Sequence, residues 1–307
     1  MAYGSPNSLD EVAEYLRQVR GGRLATDAEV ERLQERYRQV GGRTPLLKIT
    51  LAQAEALQRK LDSSATSARV YVGMKHWNPF IEETVETIVR DGASSIVGLA
   101  LAPHYSKLSI GGYEEAVRRG LQKTSAVPFS MVRDWHTQPH LITALSKRVR
   151  TGLDDMENPS EAAVLFAAHS LPKRFVSADD PYEAQLRETS RLVARQARAG
   201  FWDFAFQSAG EPADSWLGPM IKEKIAELSK KGFRELLICP VGFVSDHLEI
   251  LYDLDIDAKE YASSVAVRAS RTASLNDDPE FIEAIFETIT PIISATVDRA
   301  SVTAPLS

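Results

Sequence analysis

The sequence predicts an α/β protein with two doubly wound parallel-sheet domains. Three observations lead there. Short apolar runs alternate with amphipathic segments from residue 68 to the C-terminal helix, and such alternation builds parallel strands covered by helices on both faces. The pattern breaks at a polar stretch, residues 151–160, and starts again. His104, His169, Ser208 and the 242–249 segment all follow strand ends, where open α/β sheets bind ligands. The expected division is residues 1–152 and 153–272 as two domains, with 273–307 as a C-terminal helix packing back on the first.

Residues 8–61 read as three helices. Ser8 or Asp10 caps the first and Gly21-Gly22 ends it; Thr26-Asp-Ala-Glu29 is a capping box for the second, which Gly41-Gly42 ends; Thr50 caps the third. Strands follow at 68–75, 94–101 and 126–132, separated by helices at 79–89 and 109–120 and followed by one at 139–151. The second half repeats the pattern, with strands at 163–168, 204–207, 235–241 and 264–268. Its helices fall at 181–198, 218–231, from Ser245 onward, and at 278–297 despite Pro291.

Composition excludes several classes. The 307 residues carry a formal net charge of −6, which disfavours nucleic acid. Arginines concentrate in residues 11–60, leaving a local cationic patch for an anionic small molecule. Cys239 is the only cysteine, so no internal disulfide, cysteine zinc site or iron–sulfur cluster is available. No apolar run approaches the ~18 residues of a membrane span, and no secretory signal is visible. A cytoplasmic, monomeric protein is expected. There is no Gly-x-Gly-x-x-Gly and no Walker A sequence, which removes support for the nucleotide-binding versions of the architecture.

Asp246, Glu249, Asp253 and Asp257 recur at three- and four-residue steps after the apolar run 236–241, and no Lys or Arg lies among them. On an α-helix they share a stripe. Such a stripe binds cations or is a solvated acidic face, the ordinary meaning of a charge run. Asp246 is left as a helix cap. His169 closes a strand in Phe166-Ala-Ala-His-Ser-Leu-Pro172, a position that suits a metal ligand, a proton acceptor, or a histidine bonded to a loop carbonyl. The segment Gln207-Ser-Ala-Gly-Glu-Pro-Ala-Asp-Ser-Trp-Leu-Gly-Pro219 is rich in turn formers around Trp216, a large flat side chain.

Ala168-His-Ser-Leu-Pro172, Gln207-Ser-x-Gly…Trp-Leu-Gly-Pro219 and Pro240-Val-Gly-Phe…Asp-His-Leu-Glu…Leu-Tyr-Asp253, in that order and spacing, resemble a ferrochelatase. Met1-Ala-Tyr-Gly-Ser-Pro6, Gly41-Gly-x-Thr-Pro-Leu46 and Leu101-Ala-Pro-His-Tyr-Ser106 extend the resemblance over nearly the whole chain. It implies two Rossmann-like domains with a porphyrin cleft between them. It also implies insertion of Fe²⁺ into a free-base porphyrin, with Fe²⁺ as substrate and no redox cofactor or stable membrane insertion. The family's cleft His and Glu fall on His169 and Glu249. Asp253 and Asp257 match an outer metal relay, and Tyr3 matches a tyrosine on the opposite face of the macrocycle, where the resemblance implies that it meets the metal. His169 and Glu249 are expected as proton acceptors and transient metal ligands.

Tyr3 and the short C-terminus also resemble the soluble bacterial branch that metallates coproporphyrin III. Its four propionates need cationic and hydroxyl partners, and the resemblance implies Arg20, Arg36, Thr44 and Tyr113, with Ser208 and Trp216 also at the substrate; solvated helix surface is the alternative for the arginines. Protoporphyrin IX is the alternative substrate. A cobalt or nickel chelatase is disfavoured by the Trp216 segment, and a non-catalytic tetrapyrrole-binding protein would not need His169 and Glu249 together. The chain departs from the family at Pro212-Ala213, Ser215 and Asp179. It also begins at the end of the family's usual first strand, so either that strand is shortened or the coding sequence starts upstream.

Overall fold

The computed structural model of the chain describes residues 1–64, 66–124, 127–210 and 215–302. After a short 3₁₀ turn come helices α1 (Val12–Val19), α2 (Asp27–Gln39), α3 (Leu46–Ser63) and α4 (Ile81–Arg90). Strand β1 (Ile96–Leu99), α5 (Ile110–Gln122), β2 (Phe129–Val132) and α6 (Pro139–Asp154) complete the first half. The second half runs β3 (Ala163–His169), α7 (Tyr182–Ala197), β4 (Phe201–Gln207), α8 (Ile221–Lys230), β5 (Glu235–Cys239) and α9 (Leu248–Leu251). A π-helical segment (Asp253–Ala258), α10 (Lys259–Ser264), β6 (Arg268–Arg271) and α11 (Pro279–Val302) close the chain.

The second sheet is fully parallel, in the order β4-β3-β5-β6. Its centre is β3, a run of Ala, Val, Leu and Phe buried to the last residue but one. A strand covered on both faces has no polar side to show, which is why 163–168 reads as unbroken apolar sequence. His169 is where that burial stops. The strand places it at the sheet's carboxyl edge, and Tyr182 fixes the spot by donating its hydroxyl to the His169 carbonyl at 3.0 Å.

The first sheet is smaller. Only β1 and β2 form a regular parallel pair. Residues 68–75, expected as a strand, form no regular strand and are paired only at Met74, with Ala2 and with Phe80. Ala2 N–H donates to Gly73 O and Lys75 N–H to Ala2 O, while the Met1 amino group donates to Leu99 O and Leu101 N–H to Met1 O. Met1 and Ala2 thus sit between the two edges at one end. Beyond them, residues 68–73 and 93–99 face each other across a cavity of about 450 Å³. An extended segment becomes a strand only when a neighbour takes its backbone groups, and here that neighbour lasts two residues.

Three further expectations change. Thr50 lies inside α3, which begins at Leu46, and its hydroxyl donates back to Leu46 O at 2.8 Å. The last strand is Arg268–Arg271 rather than 264–268, because Val265 and Ala266 end α10 with a left-handed residue, Ala266, at φ 57°. The acidic stretch is a four-residue α-helix followed by a π-helical turn. The Thr26 capping box forms as expected, with Glu29 N–H on Thr26 Oγ1 at 3.3 Å and Thr26 N–H on Glu29 Oε2 at 2.8 Å. Helix α11 packs on α3, α6, β1 and β2. Among the described residues no helix is long and apolar enough to cross a membrane.

Candidate active site

The two halves meet where β3 ends. His169 Nε2 lies 3.3 Å from Glu249 Oε1, and both side chains are 31% exposed. The pair is held from behind. The His169 Nδ1 proton goes to the Ser170 carbonyl, and Ser170 Oγ donates to Leu217 O at 2.7 Å. Gln207, the last residue of β4, donates its side-chain amide to Glu249 O at 2.8 Å. Two strand ends, the Leu217 loop and α9 therefore fix two side chains.

Because Nδ1 already donates to a carbonyl, Nε2 carries a proton toward Glu249 only as imidazolium. Burial opposes that charge, but the Glu249 carboxylate outweighs it and raises His169 to about 9, with Ser170 O and Asp253 helping. Burial likewise pushes Glu249 up, and His169 with His247 pulls it well below the usual carboxylate range. In the substrate-free chain the pair is an ion pair, not a neutral imidazole beside a carboxylate.

Aromatic rings frame it. Trp216 stands 6.3 Å from the His169 ring and Phe243 6.5 Å, centroid to centroid. Trp216 is placed by Gly210, where any Cβ would come within 2.6 Å of the indole. Pro212 and Ala213 lie outside the described residues. From the first half, Tyr3 and Tyr37 are close enough to Glu249 for its charge to act on their phenols. Tyr3 is 43% exposed and its ring is tilted over His76 at 4.5 Å. Val12 and Tyr37 pack with Leu248, which carries the α1–α2 hairpin onto the base of α9.

The acidic stripe does not run uncompensated. Asp253 receives Arg36 and the Ser208 hydroxyl. Asp257 is paired with Lys222 at 2.7 Å. Asp246 is no helix cap: it precedes α9, whose N-cap is His247, and it accepts from Ser274 at 2.7 Å and Asn276 at 3.0 Å. Arg271 lies 3.3 Å from Asp246 and 2.8 Å from Asp255. Every acid finds a cation or donor from elsewhere in the fold. Among the described residues no three His, Cys, Asp or Glu side chains converge into a preformed metal cage. At His169–Glu249 a carboxylate and an imidazole are open to solvent together, at the carboxyl edge of the second sheet.

The proposed substrate residues divide. Arg36, Ser208 and Trp216 border the pair. Thr44 Oγ1 is 2.8 Å from Ser5 Oγ, which is 3.0 Å from the Tyr37 hydroxyl, so a hydroxyl chain lines the Tyr3 side. Tyr113 is buried, with Lys75 Nζ 5.3 Å above its ring. Arg20 is taken by Glu29 at 2.8 Å. His247 was not foreseen: its Nε2 is 3.6 Å from Glu249 Oε2 and its Nδ1 donates to Ser245 O at 2.9 Å. Its place two residues before Glu249 was the available signal.

Comparison with known proteins bears on the family and the fold. The Ferrochelatase family model matches residues 1–291. The chain is 42% identical over 294 residues to a ferrochelatase of Herpetosiphon aurantiacus, covering 94% of this chain and 96% of that protein. It is 38% identical to a coproporphyrin III ferrochelatase of Geobacillus thermodenitrificans, covering 93% and 92%. Among solved structures, SirB from Bacillus subtilis with Fe³⁺ superposes with a TM-score of 0.56 at 15% identity, covering 80% of this chain and 90% of that one, which speaks to the fold. The sequence motifs, the paired cleft residues and the full-length match lead to one conclusion: this chain belongs to the ferrochelatase family.

Proposed function

We propose that this enzyme inserts Fe²⁺ into coproporphyrin III, with His169 and Glu249 facing the pyrrole nitrogens. The observation that carries the reading is the His169–Glu249 pair, 3.3 Å apart and partly open to solvent. Metallation exchanges two pyrrole protons for one divalent cation. Imidazole and carboxylate are Fe²⁺ ligands and proton acceptors alike. His169 must shed its own proton first, and the incoming cation, replacing that positive charge beside Glu249, favours the loss. The macrocycle is distorted as it binds, so that its nitrogens become reachable, with binding energy from the rim spent at the centre. Trp216 and Phe243 offer flat contact on the His169 side and Tyr3 faces the other. Asp253 and Asp257 remain candidates for passing the cation inward once their partners release them.

Support for a tetracarboxylate substrate comes from Arg36, Ser208 and the Ser5–Thr44 hydroxyls around the pair, and from the relatives named for coproporphyrin III. Other relatives are named ferrochelatase alone. The test is kcat/KM for Fe²⁺ insertion into coproporphyrin III against protoporphyrin IX under anaerobic conditions. The expected result is a preference for coproporphyrin III of at least about tenfold, the worth of one charge-assisted hydrogen bond. A preference for protoporphyrin IX overturns the assignment.

A further inference from the structure

We propose that Asp253 is a built-in competitor for a substrate carboxylate: it occupies Arg36 and Ser208 in the empty cleft and yields both when the tetrapyrrole binds. The inference rests on the porphyrin-metallation reading and deepens it.

Arg36 Nη2 meets Asp253 Oδ1, and Ser208 Oγ donates to Oδ2 of the same carboxylate. Both oxygens are thus served by the two donors that a propionate at this rim would use. Neither donor can serve two acids in the same way. The Ser208 hydroxyl has one proton, and the guanidinium edge turned to Asp253 is not turned to the cleft. Among the described residues these are the only side-chain partners of Asp253.

The geometry favours exchange over a permanent lock. The Asp253 side chain is 10% exposed and that of Arg36 34%, so an incoming carboxylate can reach the cation without passing the acid. The guanidinium lies 4.6 Å from the centroid of the Tyr252 ring. A planar cation stacked on an aromatic face can pivot in its plane while keeping that contact. Arg36 Nε is buried with no hydrogen-bond partner, leaving a donor of the same group unused. Ser208 is held at φ 59°, a left-handed conformation that a serine seldom adopts. The backbone is committed there while the hydroxyl remains free to rotate.

Exchange has a consequence for the order of events. Once Arg36 turns to the substrate, Asp253 stands without its counter-charge one turn from Glu249. The cleft then attracts a divalent cation more strongly than before, at the moment a macrocycle is seated to receive it. Cation affinity is linked to tetrapyrrole binding through one arginine.

The experiment is a fluorescence titration of metal-free coproporphyrin III into the wild-type chain, Asp253→Asn, Arg36→Ala and the double variant. Removing the competitor's charge is expected to tighten binding about tenfold in Asp253→Asn. Arg36→Ala is expected to weaken binding, and adding Asp253→Asn to it is expected to tighten Kd by clearly less than the same change does in the wild type, because only Ser208 is left to be released. The gain in Asp253→Asn should vanish with the tetramethyl ester of the porphyrin. Thermal melts confirm folding, with Asp253→Ser as the second variant if Asp253→Asn unfolds. Unchanged or weaker binding in a folded Asp253 variant, in a protein whose wild type binds and metallates the porphyrin, overturns the exchange alone. A wild type that neither binds nor metallates it overturns the functional reading beneath.

Discussion

His169 Nε2 and Glu249 Oε1, 3.3 Å apart, form an ion pair whose cation is the proposed proton acceptor in its resting, protonated form. This sets the pH behaviour of the free enzyme. His169 rises from its ordinary 6.5 to about 9. A raised cationic group contributes stability that is complete below the unfolded value and is lost as pH climbs through the folded one. Glu249 is depressed from 4.5, so its contribution is present above that value and is lost as pH falls through its lower folded value. Both contributions are therefore complete between 4.5 and 6.5. Calorimetry should show the gap in Tm between wild type and Glu249→Gln widest in that window and closing as pH approaches 9. An NMR titration placing the His169 ring at or below 6.5 in the substrate-free protein would contradict the pairing.

On the proposed mechanism the same proton controls turnover. With the base protonated near neutrality, kcat/KM should climb with pH above 7, since that parameter reports groups in the free enzyme. His169→Ala and Glu249→Gln should each lower kcat for metal insertion by about 10²–10⁴-fold, the usual worth of a positioned proton acceptor. Porphyrin affinity, measured by fluorescence without metal, should change far less. A His169→Ala variant with wild-type kcat removes the assignment.

A different kind of dependence lies one strand away. Gly242 packs so closely on β3 that an added Cβ would lie 2.7 Å from the Ala168 Cβ and 3.1 Å from its Cα. The obstacle is a buried strand backbone, which cannot turn aside, and the next residue is His169. Gly242→Ala should cost about 1–3 kcal/mol through overpacking and lower Tm by several degrees. It should also reduce kcat, because relief comes most directly by shifting β3 or the 242–249 segment against each other. A variant with unchanged Tm would mean that the 242–249 segment adapts on its own.

Arg271 offers a test of the buried charge network. Its side chain is 11% exposed and binds Asp255 through two nitrogens while reaching Asp246. Arg271→Met roughly keeps the volume, leaves Asp246 without a cation and leaves Asp255 with Lys259 alone. The expected loss is about 1.5–3 kcal/mol, the range for hydrogen bonds to charged groups, read as a drop in the urea midpoint. An unchanged midpoint would show that Ser274, Asn276 and Lys259 suffice.

How far the sequence reveals this molecule depends on the range of the interaction. Strand β3 is legible because burial on both faces leaves only apolar residues, and His169 is legible because it ends that run. The four-residue spacing of the acids is equally local and equally visible. Their counter-charges are not: Arg36 reaches Asp253 from 217 residues away, Lys222 reaches Asp257 from 35, and Arg271 reaches Asp246 from β6. A pattern search along the helix sees four bare carboxylates where the fold supplies a partner for each. Asp246 fails as a cap for a related reason, since α9 begins after His247 and its own partners lie on the 274–276 loop. Residues 68–75 have strand-like sequence, but strand formation depends on a neighbour that their own side chains cannot report.

That missing neighbour gives the last prediction. Ile96 N–H donates to Pro128 O on the β2 side, so by alternation Val97 and Leu99 turn their backbone groups toward the cavity. Leu99 O is met by the Met1 amino group, and Gly73 O by Ala2 N–H. Continuing that register upstream, a residue two ahead of Met1 would face Val97 O and Leu99 N–H, and the one immediately ahead would face Tyr71 O and Gly73 N–H. The cavity of about 450 Å³ between these edges is lined by Leu57, Val85, Ile96, Ile285 and Ile289 among others, so it suits an apolar strand on both faces. An engineered extension of four or five residues of Val, Ile and Leu ahead of Met1 should therefore pair on both sides. Burying each such side chain is worth about 1.5–3 kcal/mol, against about 1–2 kcal/mol per residue to order the backbone, so the net gain is a few kcal/mol and Tm should rise by several degrees. The α-amino group adds a second readout. Burial pulls it from 8.0 down to about 5, so its protonation in the unfolded chain makes stability rise with pH between those values. Replacing the amine by an amide should flatten that slope. An extension that leaves both Tm and slope unchanged, or lowers Tm, would show that the edges do not accept a strand.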